Sequence, residues 1–284
     1  MYVIIALVVL LAAACSTPPK NPGDVYSLRK QAEAQLDIAN KQADRGGFET
    51  ALPLLDEAMR LAVVTDDPSL RIRVGLSRGN VLFSLDRREE AEKAWSNALG
   101  EAEKMGNNEL TAVCRIHIAR GKLLSPEGKG TAQAIRDEIN RNLPQIKSDR
   151  LYIAFAWMVI GLAEKELGRY AQAEAAVRRS LEIHQKDRYF EQAAYDWFMI
   201  ASFRSLSGDY RGSLQALESA AAYDRRVENS WGLASDWRAM GDVYHKAGDR
   251  DAGRAAYVRA AEIFRSIGND EAAAETLSRA ENGL

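Results

Sequence analysis

A period of about forty residues runs through most of this 284-residue chain and limits what it can fold into. Short turn sequences such as LGRY, SGDY and AGDR each follow one helical pattern and precede another. The small residue that closes each turn recurs at Ala51, Ala91, Ala173, Ser213 and Gly253, with spacings of 40, 82, 40 and 40. The long gap divides into two units of 41 at Ala132. A period of this length indicates stacked helical hairpins, so we expect six units over residues 25 to about 268, the third of them degenerate.

Each unit has the apolar spacing of two helices. In the fourth unit, Trp157, Ile160 and Gly161 fall on one face of a first helix, and Ala173 and Val177 on one face of a second. Residues three and four apart share a helix face. Residues 148–167 are therefore predicted to form one helix, followed by a turn and a second helix.

The recurring pattern resembles that of tetratricopeptide repeats, W-x2-L-G-x2-Y followed by A-x3-F. The sixth unit carries it most fully, at Trp237, Met240, Gly241, Tyr244, Gly253, Tyr257 and Ala260. The resemblance implies an all-α fold, a right-handed α-solenoid of six hairpins. The unit here has 40 residues where the family commonly has 34. The stretch after Gly268, NDEAAAETLSRAEN, is predicted to be a C-terminal capping helix.

Three tryptophans, Trp157, Trp197 and Trp237, repeat at intervals of 40 residues. Such residues could be exposed platforms on which a ligand stacks, or side chains used once per hairpin for packing. Their phase relative to Gly161 and Gly241 favours packing, because small residues mark the side on which the two helices of a hairpin approach. We therefore expect the three indoles inside the hairpins.

The N-terminus has the pattern of an export signal. Residues 3–14 are an uninterrupted apolar run, and small residues precede Cys15. The run is shorter than the ~20 residues of a transmembrane helix and has the length of a signal-peptide core. It resembles a bacterial lipobox, although Ala12 stands where leucine is preferred and no Lys or Arg precedes the run. An ordinary signal peptide and an N-terminal anchor helix are the alternatives. The expected division is a signal peptide over 1–14, lipidated Cys15 with a tether to residue 24, and a superhelix over 25–284.

Charge composition argues against nucleic acid as a partner. The 38 Lys and Arg residues are balanced by 40 Asp and Glu residues, for a net charge of −2. Phosphate binding requires an excess of positive charge on the protein surface.

Three short motifs could carry chemistry, and each has a simpler structural interpretation. The sequence GLSRG at Gly75–Gly79 matches a nucleophile elbow. That motif lies between a strand and a helix in a parallel sheet, and the chain shows no pattern of further strands. The sequence PEGKGT at 126–131 has the wrong spacing for a phosphate loop. Cys114 and His117 share a helix face, yet zinc needs three or four ligands. We therefore expect no enzyme activity, no cofactor and no metal, with a buried thiol beside a groove-facing histidine.

The resemblance implies a binding groove on the concave face, lined by the first helix of each unit. The positions that line it in the family correspond here to Asn40, Asn80, Phe83, His117, Phe155, Met158, Leu162, Lys165, Tyr195, Phe198, Ser202, Arg238, Asp242 and His245. The middle of this set is aromatic and apolar. Leu36 and Leu76 replace the lysines that bind a C-terminal carboxylate in chaperone-binding members. The longer helices of this chain could also shift the concave face, so that some of these residues pack in the core instead.

These features together predict a membrane-anchored scaffold lipoprotein of the bacterial cell envelope, on the periplasmic side of the outer membrane. Its groove would bind a partner protein or an extended peptide during assembly of envelope complexes. The alternative is a solute-binding accessory of a transporter, with the aromatic middle of the groove as its pocket.

The lipid anchor can be tested at its attachment site. Changing Cys15→Ser removes the thiol that would be acylated, so the protein is expected in the soluble fraction after detergent-free lysis. Fractionation and immunoblotting measure this. Retention of the variant in the membrane fraction would contradict lipid attachment at Cys15.

Overall fold

The computed structural model describes residues 22–282, which form thirteen α-helices and no strand. The predicted signal peptide and Cys15 lie outside the described residues. Two short 3₁₀ segments, Pro126–Gly130 and Leu143–Gln145, flank the sixth helix. The helices are α1 (Pro22–Asp44), α2 (Phe48–Val64), α3 (Pro68–Ser84), α4 (Arg88–Lys104), α5 (Asn108–Leu123), α6 (Ala132–Asn142), α7 (Arg150–Glu166), α8 (Tyr170–Lys186), α9 (Phe190–Leu206), α10 (Tyr210–Arg226), α11 (Ser230–Lys246), α12 (Arg250–Ser266) and α13 (Asp270–Asn282).

The helices pair in chain order into six antiparallel hairpins, α1–α2 through α11–α12, and α13 covers the last of them. The predicted all-α helical solenoid is confirmed. Residues 148–167 form one helix as expected, since α7 runs from Arg150 to Glu166. The third hairpin is irregular, because α6 has only 11 residues and a 3₁₀ segment replaces the short turn before it. Helix α1 begins at Pro22, within the stretch expected to be a tether.

Helix boundaries follow from turn chemistry. The Asp67, Asn107 and Asp149 side chains accept hydrogen bonds from backbone N–H groups in the first turns of α3, α5 and α7. Such caps satisfy amides that have no partner inside the helix. Several helices end at a glycine in the left-handed region, including Gly168 and Gly248 at φ 70° and 88°. Glycine adopts this conformation without steric cost, which ends the helix and reverses the chain within a few residues.

Small residues bring the helices of a hairpin into close contact. A Cβ added at Gly161 would collide with Val177 of α8, and one added at Gly241 would collide with Tyr257 of α12. In the second unit, Trp95 fills the corresponding space between Gly79 and Gly121, and its Nε1 donates to the Leu76 carbonyl at 3.3 Å. The fit explains why the period pairs a small residue on one helix with a large one on the next.

The three periodic tryptophans pack against the core but are only half-buried. The guanidinium of Arg179 covers Trp157, and that of Arg259 covers Trp237, each 4.2 Å from the ring centroid. Both arginines belong to the second helix of the same hairpin, so the indoles lie between the paired helices as expected. Arg178 covers Trp197 at 5.8 Å. The outer edge of each ring reaches the surface, where an arginine covers it.

None of the helices within residues 22–282 is long and apolar enough to cross a membrane.

The fully buried Trp95 and the half-buried Trp197 should differ in their contribution to stability. Trp95→Ala empties a fully enclosed space and is expected to cost about 3–5 kcal/mol. Trp197→Ala, at a half-buried site, is expected to cost about 1–3 kcal/mol. Urea unfolding followed by circular dichroism measures both. Equal losses would show that the surface-exposed edge of Trp197 makes no difference to its packing energy.

Candidate functional site

The odd-numbered helices form the inner face of the solenoid. Helices α1, α3, α5 and α7 contact one another in succession, as do α9 and α11, and even-numbered helices form the outer layer. We call this inner face the groove. The resemblance to tetratricopeptide repeats implies that this face binds the ligand.

Residues at the same distance from successive N-caps occupy equivalent places along the groove. Measured from the caps Asp67 and Asn107, Asn80 and Arg120 are equivalent. The full row is Asn80, Arg120, Leu162, Ser202 and Asp242. The predicted set contained every member except Arg120. The long connection before Ala132 prevented a count of positions in the third unit from its turn. Counting from the Asn107 cap would have identified Arg120.

Three of the predicted residues form a continuous wall across neighbouring units. His117 Nδ1 donates to Asn80 Oδ1 at 3.0 Å, and the imidazole stacks on the Phe155 ring with centroids 4.2 Å apart. Burial and, to a smaller extent, the charge of the neighbouring Arg120 lower the pKa of His117 to about 3. The ring is therefore neutral at physiological pH. His117 and Met158 are buried, so Asn80 and Phe155 are the members of the wall that reach the surface.

The middle of the groove carries exposed aromatic surface. Tyr195 on α9 is 51% exposed and stacks on Phe198, one helical turn later, at 6.5 Å between centroids. Phe155 and Leu162 on the adjacent α7 are half-buried. An exposed phenol ring beside further apolar side chains forms a surface suited to contact with another molecule.

Phe83 lies between two arginines. The Arg88 guanidinium is 5.6 Å from the ring centroid and that of Arg120 is 5.9 Å away. The Trp95 ring also lies beside Phe83, with 5.8 Å between the two ring centroids. Arg88 is paired with Asp86 at 2.7 Å, so this part of the groove is aromatic and Arg120 supplies its unpaired positive charge.

At the C-terminal end, the predicted groove residues contact the last two helices. Asp242 accepts a hydrogen bond from the Tyr257 hydroxyl at 2.6 Å, and the His245 ring packs on Tyr257 at 5.3 Å. Arg238 forms an ion pair at 3.6 Å with Glu275 of α13. These residues join the sixth hairpin to the capping helix. The remaining predicted residues are half-buried: Asn40, Lys165, which pairs with Glu166 at 3.2 Å, and Ser202.

The turn between α1 and α2 reaches the far end of the solenoid. Arg45 donates to the Glu191 carboxylate at 3.2 Å and to the Val227 carbonyl at 3.0 Å. Phe48 packs edge-on against Trp231 of α11 at 6.5 Å. The superhelix thus returns on itself, and the first hairpin meets the fifth and sixth.

Two successive interfaces between hairpins bury ionisable pairs at equivalent positions. Between α8 and α9, His184 Nδ1 and Asp196 Oδ2 are 2.6 Å apart. Between α10 and α11, the same places hold Asp224 and Asp236, which are 4% and 1% exposed. Burial raises the pKa of both of these carboxyl groups, and the charge of Asp224 raises that of Asp236 further. The first interface therefore holds a histidine hydrogen-bonded to a carboxyl group, and the next holds two acids that repel each other when both are ionised.

The short motifs are part of the repeat. Gly75, Ser77 and Gly79 lie within α3, and the strand that a nucleophile elbow requires is absent from residues 22–282. The PEGKG sequence forms a 3₁₀ segment. Cys114 is buried, and burial raises the pKa of its thiol to about 12. The described residues contain no group of three or more His, Cys, Asp or Glu placed to hold a metal.

The family resemblance is supported by comparison with known proteins. A family model for the tetratricopeptide repeat matches residues 156–187, which span the end of α7 and all of α8. No curated protein matches the chain at a significant level.

Solved structures share the fold at low sequence identity. A Rap protein complexed with Competence and Sporulation Factor is 15% identical, with a TM-score of 0.59 over 89% of this chain and 74% of that one. BtubC (BKLC) from P. vanneervenii is 18% identical, with a TM-score of 0.56 over 84% and 92% of the two chains. PilW, a type IV pilus biogenesis factor, is 15% identical, with a TM-score of 0.50 over 87% and 98%.

The paired acids between α10 and α11 should make stability depend on pH. A carboxyl group with a higher pKa in the folded state binds more protons there than in the unfolded state, so stability falls as pH rises above the ordinary carboxyl range. Asp224→Asn removes one charge while its amide oxygen can still accept from Asn229, which now donates at 2.9 Å. We expect a gain of about 1–3 kcal/mol at pH 8 and less at pH 5.

Thermal or urea unfolding across pH 5–9 measures this effect. Asp224→His, which copies the His184–Asp196 pair of the preceding interface, should also flatten the pH profile. Asp251→Asn, at an exposed carboxylate on α12, serves as the control. A wild-type profile that rises with pH would contradict the assignment.

Proposed function

Because this chain is a tetratricopeptide-repeat protein, we propose that it is a scaffold whose groove binds an extended segment of a partner protein. The observation that carries the proposal is the aromatic surface in the middle of the inner face, centred on the exposed Tyr195 ring. A solenoid buries the apolar stripes of its hairpins against one another. Apolar rings left uncovered on the inner face are therefore available to a ligand.

The shape and chemistry of the groove favour an extended chain over a compact solute. Equivalent positions recur from unit to unit along it, so an extended ligand can contact successive units. The wall formed by Asn80, His117 and Phe155 is held by internal contacts, which lowers the entropy lost on binding. The similar fold of a Rap protein complexed with Competence and Sporulation Factor is consistent with a ligand in such a solenoid.

A cleft of about 770 Å³ lies away from this wall, between α4, α5 and α6. Its lining is largely polar and includes Glu103, Arg115, Glu138 and Arg141. The apolar lining typical of small-molecule pockets is therefore missing from this cleft. The transporter-accessory alternative gains no support from it.

We further propose that acylation of Cys15 anchors the scaffold to a membrane of the bacterial envelope. The polar stretch that follows the cysteine would separate the lipid from α1. Stable anchoring needs more than one acyl chain or an added basic patch, and the net charge of −2 supplies little attraction to anionic lipid. The acyl chains themselves would therefore hold the protein at the membrane. The solenoid would thus present its groove to partners in the assembly of an envelope complex.

Site-specific photo-crosslinking tests the position of the partner. A photoreactive amino acid in place of Tyr195, in cells, is expected to capture a protein partner, whereas the same residue in place of the outer-face Val258 should not. With the captured partner in hand, Tyr195→Ala and Phe155→Ala should each weaken binding by about 5- to 30-fold, or 1–2 kcal/mol. Val258→Ala should leave the affinity unchanged.

Equal effects at the inner and outer positions would contradict binding in the groove. A ligand that proves to be a small solute, detected as a thermal shift with one ligand class, would favour the transporter-accessory alternative.

A further inference from the structure

Arg120 carries a charge that no described residue neutralises. Its Nε is fully buried without a hydrogen-bond partner, and no residue within 22–282 accepts a hydrogen bond from its terminal nitrogens. Other half-buried arginines on inner helices of the solenoid behave differently. Arg71 pairs with Glu101, and Arg204 donates to Glu174 at 2.7 Å. The missing partner of Arg120 is therefore a local exception.

The surroundings of Arg120 hold the guanidinium in place without compensating its charge. Phe83 lies against it, and His117 beside it is neutral because its pKa is about 3. Burial lowers the pKa of the arginine. An uncompensated guanidinium in an enclosed space is costly, because water solvates it poorly there. An incoming anion would remove that cost.

Arg120 also stands at the right place for an approaching ligand. It occupies the row that includes Asn80 on one side and Leu162 on the other, in the third of six hairpins. The Asn80 Oδ1 is already bound by His117, which leaves its Nδ2 as a donor for a peptide carbonyl. Because the groove continues past Arg120 in both directions, a bound chain can extend both ways from this point.

We infer that Arg120 binds the carboxylate of an Asp or Glu side chain within an extended peptide. A guanidinium presents paired N–H donors that match a carboxylate. The neighbouring Phe83, Phe155 and Leu162 would accept apolar residues on either side of the acidic one. The inference rests on the proposed function, and it specifies the ligand as an internal apolar–acidic–apolar segment.

Affinity selection on peptide libraries tests this directly. The full-length protein, solubilised in detergent, is used to capture binders from two pools of random ten-residue peptides, one with amidated and one with free C-termini. Empty micelles on the same support remove detergent-binding peptides. We expect enrichment of Asp or Glu at internal positions, with apolar neighbours, in both pools. Against Arg120→Met this acidic preference should disappear, whereas Arg179→Met, at an arginine covering Trp157, should keep it.

An enriched peptide then allows a charge-specific measurement. By fluorescence anisotropy, Arg120→Met and a Glu→Gln change in the peptide should each weaken binding at least tenfold, and the two together should cost little more than either alone. Arg120→Met should also melt no lower than the wild type, because an unpaired charge has been removed. Lower melting would show that Arg120 has a structural role, and this would contradict the inference.

The remaining outcomes are equally decisive. Acidic enrichment restricted to the free C-terminus would assign Arg120 to a terminal carboxylate and overturn the inference. Enriched peptides without an acidic preference would overturn it while leaving the proposed groove binding intact. Absence of any enriched peptide would contradict the proposed function itself.

Discussion

The close approach of two helices at small residues is the contact on which the rest of the molecule depends. At Gly161 and Gly241 the backbone of one helix meets a large side chain of its partner with no room for a Cβ. This spacing fixes how each hairpin is formed, and the same hairpin stacked six times gives the solenoid. The row from Asn80 to Asp242 is a consequence, because equal packing places equivalent residues on the inner face. The groove is thus produced by the repeated hairpin contact.

Much of this was predictable, because the repeat is local. The hairpins and the capping helix follow from spacing along the sequence, and the inner position of Phe155 and Tyr195 was implied by the family resemblance. Two features did not follow. Arg120 was missed because the irregular connection before α6 breaks the count from turn to turn, although the Asn107 cap preserves it. Contacts between the first and last hairpins depend on a small rotation per unit that accumulates over five units, and no local pattern contains that angle.

The return of the superhelix on itself changes how the groove should behave. Arg45 and Phe48 tie the first hairpin to the fifth and sixth through an ion pair and an aromatic contact. Only the nearest neighbours interact in an open solenoid, so its ends move independently. Here a ligand that spreads the inner helices would also strain the contact of Arg45 with Glu191. Under the proposed function, ligand binding in the groove would therefore be coupled to closure of the ends through the same few contacts, with the reciprocity that any such coupling requires.

Two unfavourable electrostatic sites in this chain differ in what could relieve them. Asp224 and Asp236 face each other in a closed interface between hairpins, where a proton is the species that can reduce their repulsion. Arg120 is half-buried and lies in the groove, so a larger anion can reach its exposed part. Local rules are broken at functional sites more often than elsewhere, because a group left unsatisfied in the free protein gains its full interaction energy on binding. Accessibility separates the two cases, and it assigns the acids to pH-dependent stability and the arginine to ligand recognition.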